Sequence, residues 1–266
     1  MSSSVQAKRL QILDEGEIET LFTCPEFTDE ERLTYFALSP IEWAALSDLT
    51  TKARIYCILQ LGYFKARQQF FALDAATVRA DVAYICQRYF PDYDPDDTIS
   101  KASPDTRTRH QRLILELCRY RLCGPAERQL LEERAMQLAR VSSKPIYIFR
   151  ELISFLTTNR IVTPAYSTLQ DLIGKILELE KRRLAEYAQV QLRPEEIVAL
   201  NALLDNATGL YEITRLKRSP RDFGFQEMKR EIARGEQIRP LYHLAERSSL
   251  NWEYPTKPSS TIMHHW

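Results

Sequence analysis

The stretch TKARIYCILQLGYFKARQQFF, residues 51–71, decides the fold class. Its apolar residues recur at Ile55, Ile58, Leu59 and Gly62, the spacing that lines one face of a helix and not the alternation of a strand. Working outward, Thr28 with Glu31 and Ser39 with Glu42 each have the spacing of a capping box, and Pro40 suits a first helical position. Downstream, Asp74 is placed to cap a helix carrying Val78, Val82, Ile85 and Tyr89, and PDYDPDD (91–97) reads as a loop. Ser103-Pro104 opens another helix, with Leu113, Leu117 and Tyr120 on one face, and Gly124-Pro125 is expected to stop it.

Further helices are predicted over 126–140 (Leu130, Leu131, Leu138) and 144–157 (Ile146, Phe149, Ile153, Leu156). Pro164 begins a long one with Leu169, Ile173, Ile176, Leu184 and Tyr187 as its seam, and Arg193-Pro194 restarts the pattern through Ile197, Leu200 and Leu204. Residues 206–224 mix Gly, Pro and basic residues, a modest helix follows around 225–235, and the end reads as a loose tail. With no alternating β-branched run and no Asn-Gly or Asp-Gly turn, the expectation is an all-α chain, an orthogonal multi-helix bundle of about ten helices without significant sheet. Three regions are expected: 1–160, a helical recognition domain; 161–205, a long helix and its successor; and 206–266, a basic connector, short helix and tail.

Composition narrows the function classes. Of 266 residues, 44% are hydrophobic and 27% charged, ordinary globular values that exclude global disorder. Only seven glycines occur, and neither G-x-G-x-x-G nor G-x-x-x-x-G-K-[ST] is present, so nucleotide-binding readings lose their usual mark. The five cysteines are an odd number without a zinc-type spacing, which suits reduced thiols in a cytoplasmic protein. MSSSVQAKRLQIL lacks the apolar core of a signal peptide, and no apolar run approaches the roughly 20 residues of a membrane span; no membrane partner is expected.

Catalytic constellations are missing too. The four histidines, His110, His243, His264 and His265, form no H-E-x-x-H, and no G-x-S-x-G or C-x-x-C occurs. Asp92, Asp94, Asp96 and Asp97 lack the Gly and distal Glu of a calcium loop, and Pro95 interrupts them. No catalytic residue, metal site or cofactor is therefore assigned, and a stand-alone enzyme is not expected.

The formal net charge of zero conceals segregation. Residues 1–51 hold 3 basic and 10 acidic groups, while three later stretches are basic islands. The first comprises Lys52, Arg54, Lys65 and Arg67; the second Arg107, Arg109, His110, Arg112, Arg119 and Arg121; the third Arg215, Lys217, Arg218 and Arg221. Arginine's planar fork matches phosphate oxygens, and donors spread along a surface are what a duplex backbone requires. Ordinary solvated helix faces carry similar charge, and overall neutrality argues against indiscriminate nucleic-acid binding.

RLQIL (9–13), FTDEERLTYFALSPIEW (27–43) and LQLGYFKARQQFFAL (59–73) together resemble the N-terminal region of Tn-three-type replicative transposases, the family that includes gamma-delta. Matches continue in order through Thr106, Arg109, His110, Ile114 and Glu116, then Tyr166-Ser167-Thr168-Leu169, then Leu216-Lys217-Arg218 before Pro220, so the resemblance covers about residues 9–240. Asp105 stands where the family usually has a basic residue, and Ser219 where a Pro is common. The resemblance implies an all-helical module that recognises transposon terminal inverted repeats in double-stranded DNA. It also implies a metal-dependent RNase H-like catalytic domain further along a longer chain, whose acidic residues have no counterpart in 1–266. On that reading the first-choice DNA contacts are Arg107, Arg109, His110 and Arg112, with Arg119 in the same island. Lys52, Arg54, Lys65 and Arg67 come second, and Lys217, Arg218 and Arg221 third. The alternative is an assembly module that contacts other transposase domains or a second subunit, and a truncated chain of this kind could act as a regulatory derivative.

Overall fold

The computed structural model describes residues 9–94, 104–204, 211, 214 and 224–247. It is all-α. Its helices are α1 (Glu15–Phe22), α2 (Asp29–Tyr35), α3 (Pro40–Ala45), α4 (Thr51–Arg67), α5 (Arg79–Tyr89), α6 (Pro104–Cys118), α7 (Pro125–Val141), α8 (Pro145–Thr158), α9 (Tyr166–Gln191), α10 (Pro194–Ala202) and α11 (Phe225–Arg247). The described residues contain no strand, only an isolated parallel bridge between Arg121 and Ile161. None of these helices is long and apolar enough to cross a membrane.

Local chemistry explains most helix starts. Thr28 and Ser39 each accept from the third helical N–H while Glu31 and Glu42 reach back to the cap nitrogen, the reciprocal pairing expected of those residues. Asp14 and Glu17 do the same for α1, a helix the periodicity did not reveal. Other boundaries differ from expectation. Asp74 accepts from the N–H groups of Ala76 and Thr77 in a turn, and α5 starts later, at Arg79, with no side-chain cap. Gly124-Pro125 begins α7; α6 has already ended at Cys118, where Arg119 turns left-handed at φ 57°. The helix expected around 225–235 runs on through Pro240 to Arg247.

The chain divides into two compact units, Met1–Leu177 and Glu178–Trp266, with the division inside α9. The first unit has two apolar clusters. In one, α4 is the centre: every residue from Cys57 to Phe64 is buried, so the helix is enclosed all round and not only along the face its periodicity marks. Gly62 is why α4 can sit so close to its neighbours. A Cβ there would lie 2.3 Å from the Phe36 ring, which is itself fully buried. The other cluster joins Leu13 to α7, α8 and the first part of α9 through Leu131, Leu138, Ile148, Leu152, Leu156, Leu169, Ile173 and Ile176. The segment before α1 is tied down there, with Tyr166 Oη accepting from the N–H groups of Ile12 and Leu13 at 3.3 and 3.2 Å.

In the second unit the long seam predicted for α9 does not stay covered, since Leu184 is exposed. That part of α9 carries local ion pairs, Glu180 with Arg183 at 2.7 Å and Glu178 with Arg182 at 3.4 Å. Val198 and Leu204, and Phe225, Met228 and Ile232 on α11, also face solvent.

Candidate functional site

Helices α4 and α6 pack side by side and run parallel. Near their starts the Tyr56 and His110 rings are 5.7 Å apart; near their ends Phe64 meets Tyr120 edge-on at 5.2 Å. The arrangement cuts both basic islands in half and regroups them. Lys52 and Arg54 share an end with Arg107 and Arg109, Arg112 lies midway along α6, and Lys65 and Arg67 share the other end with Arg119 and Arg121.

At the first end two helix N-termini point the same way, so their dipoles add positive potential. Arg107, Arg109 and Arg112 are exposed and Lys52 is half-exposed. None of the four side chains has a hydrogen bond or ion pair to a described residue. Arg109 and Arg112 lie on an outward stripe that also carries Asp105 and Glu116 at three- and four-residue spacing, so acids bracket the two arginines. Arg54 is different. Its guanidinium donates to the carbonyls of Leu46, at 2.9 Å, and Ser47, and so closes the C-terminal end of α3.

His110 does not join this face. Only 3% exposed, it points inward beside Tyr56, and its Nδ1 has no hydrogen-bond partner. Burial, and then the neighbouring Arg109 charge, push the imidazole below its ordinary pKa. Its expected role as a direct contact is thus corrected: the ring is packing material at the seam between α4 and α6.

The other end is a junction of three helix C-termini. Gln68, Arg119 and Arg160 are the described non-glycine residues with left-handed φ, at 51°, 57° and 52°, each just past a helix end where glycine is usual. Backbone hydrogen bonds lace the segments at these ends together: Thr163 N–H to Gln68 O at 3.1 Å, Arg121 N–H to Arg160 O at 2.9 Å, and Val162 N–H to Arg121 O at 2.9 Å. Several cations here are engaged internally. Lys65 donates to Ala37 O at 2.9 Å and pairs with Glu42 at 2.8 Å, and Arg121 pairs with Glu127 at 3.4 Å. Arg67 Nε is buried without a partner. Arg119 is exposed and unpaired among the described residues, as is Arg160, a residue outside the three islands that only the fold brings here.

A buried charge network anchors this half of α4. Asp81, 3% exposed, accepts from Arg32 Nε at 2.7 Å and Tyr63 Oη at 2.5 Å. Burial, with the Asp81 charge beside it, pushes the Tyr63 hydroxyl far up. Cys24, against Tyr63, is raised by burial to about 11, and Cys57 to about 12, so both are thiols at neutral pH. Arg215, Lys217, Arg218 and Arg221, together with His264 and His265, lie outside the described residues.

Residues 12–176 match the family described as "Domain of unknown function (DUF4158)", and the chain belongs to that family. The matched span takes in both apolar clusters and the whole α4–α6 pair. No curated protein matches the chain.

Proposed function

We propose that the chain is a DNA-recognition module of a Tn-three-type transposase, binding transposon terminal repeats and non-catalytic by itself. Two lines support the reading. The resemblance described above is to the N-terminal region of such transposases, and the matched domain family occurs in them. The observation that carries the location is the parallel α4–α6 pair: it brings Lys52, Arg107 and Arg109, unpaired among the described residues, to an end with two helix N-termini, with Arg112 further along the same stripe of α6. Arg109 and Arg112 would bond phosphate oxygens or base edges from the outward stripe, while Asp105 and Glu116 repel misplaced backbone and so set register.

The test is selection from a random-sequence duplex pool with the full chain. Enrichment of a common motif, bound more tightly than scrambled duplex and weakening steeply with salt, supports the reading. Equal affinity for selected and scrambled duplex at every salt contradicts it.

One observation favours a second reading, an assembly module. Phe225, Met228 and Ile232 on α11 are exposed at three- and four-residue spacing. A stable dimer whose formation ignores DNA and is lost on Met228→Glu would favour that role.

A further inference from the structure

We propose that His110 is a neutral positioning residue for the basic face of α6, and that its protonation in mild acid releases that face from α4. The inference rests on the DNA-binding reading for its functional consequence, though not for its structural half.

The observations are geometric. His110 is buried at the seam of the two parallel helices, its ring against Tyr56, and Nδ1 lacks a partner. It sits on α6 between Arg109 and Arg112, one turn before the fully buried Ile114. From α4 it is faced by Tyr56, whose hydroxyl accepts from Gln60 Nε2 at 3.3 Å. The charged neighbour on its own helix is Arg109. No described carboxylate pairs with it. A proton placed on the ring would therefore be a second cation beside Arg109, with no acid among the described residues paired to receive it.

The sign follows from linkage. The packed imidazole has its pKa below the ordinary value of about 6.5, so on acidification the unpacked ring takes up the proton first. Packing is unaffected well above about pH 6.5 and weakens as pH falls below it, by at most about tenfold in the equilibrium per pH unit. Simple electrostatics predicts the reverse for binding, since added positive charge tightens attachment to a polyanion. Loss of duplex binding in mild acid would thus be the signature of unpacking.

The experiment uses the full chain, with His110→Gln and His110→Phe as comparisons. Imidazole titration by NMR should show one ring, absent in both variants, with a pKa below about 6.5. Between about pH 7.5 and about pH 5.5 the wild type should lose thermal stability and several-fold affinity for the selected duplex, while the variants keep flat melts and hold or gain affinity. A His110 pKa at or above about 6.5 overturns the proposal, as do wild-type and variant melts with superimposable pH profiles. If a variant does not fold, the wild-type titration decides. Absence of duplex binding at every pH removes the DNA reading and the functional half together, while the titration and melts still decide whether His110 is the proton-sensitive contact.

Discussion

The two ends of the α4–α6 pair carry the same residue types and put them to different uses. At the C-terminal end the fold supplies acceptors: carbonyls of finished helices, Glu42 and Glu127, and Lys65 and Arg121 are drawn into them. Cations also suit the negative ends of three helix dipoles there. At the N-terminal end Lys52, Arg107 and Arg109, with Arg112 further along α6, find no such acceptor among the described residues, and the dipoles disfavour Lys52 and Arg107, which lie in the first turns of their helices. The dipoles give cations in those first turns no stabilisation, and an anionic partner is what the proposed function would supply there. Arg54 shows the distinction within one end, because it has the α3 carbonyls and its neighbours have none.

The comparison can be broken most severely at the engaged end. Asp81→Ala leaves Arg32 and the Tyr63 hydroxyl without their buried acceptor and should cost about 3–5 kcal/mol in urea unfolding, less whatever solvent recovers for partly exposed Arg32. Gly62→Ala drives a methyl into the Phe36 ring, which has no free space to yield, and should cost about 1–3 kcal/mol by the same measurement. Lys65→Met takes the cation from Glu42, which keeps only its Ser39 N–H bond, and leaves the Ala37 carbonyl without its donor, with an expected loss of about 1–3 kcal/mol.

Glu42 of that pair also responds to pH. Burial works to raise the Glu42 pKa, but Lys65 and the Ser39 bonds outweigh it and the result is lowered. Its stabilisation is therefore complete above the ordinary carboxylate value of about 4.5 and is lost as pH falls through the lowered one. Melts below about pH 4.5 should show a smaller acid-induced loss in Lys65→Met than in wild type. The smallest stability effect belongs to the free end: Arg107→Ala, Arg109→Ala and Arg112→Ala should each stay within about 0.5 kcal/mol of wild type in urea unfolding.

How much of this was legible in the sequence depended on whether the signal was local. The Thr28–Glu31 and Ser39–Glu42 boxes could be read because a cap is a four-residue event. The Asp14–Glu17 box carried the same signal ahead of too short an apolar pattern to draw notice. Helix ends at Gln68, Arg119 and Arg160 carry no glycine to mark them, although all three residues are left-handed. The all-round burial of α4 and its parallel course with α6 are tertiary, and no periodicity within one helix encodes them. The inward position of His110 was legible. The residue precedes Ile114 by four residues and Leu117 by seven, which places it on the inward stripe whatever its neighbours' charge.

The most direct test of the central claim is to measure duplex affinity against salt for two variants of the full chain. One is Arg107→Ala with Arg109→Ala and Arg112→Ala; the other is Arg119→Ala with Arg160→Ala, from the opposite end of the pair. The account predicts that the first loses most of its affinity, with a log–log salt slope shallower by about 0.9 for each phosphate contact removed, while the second binds nearly as wild type. Equal losses in the two, or a loss confined to the Arg119 and Arg160 variant, would contradict it.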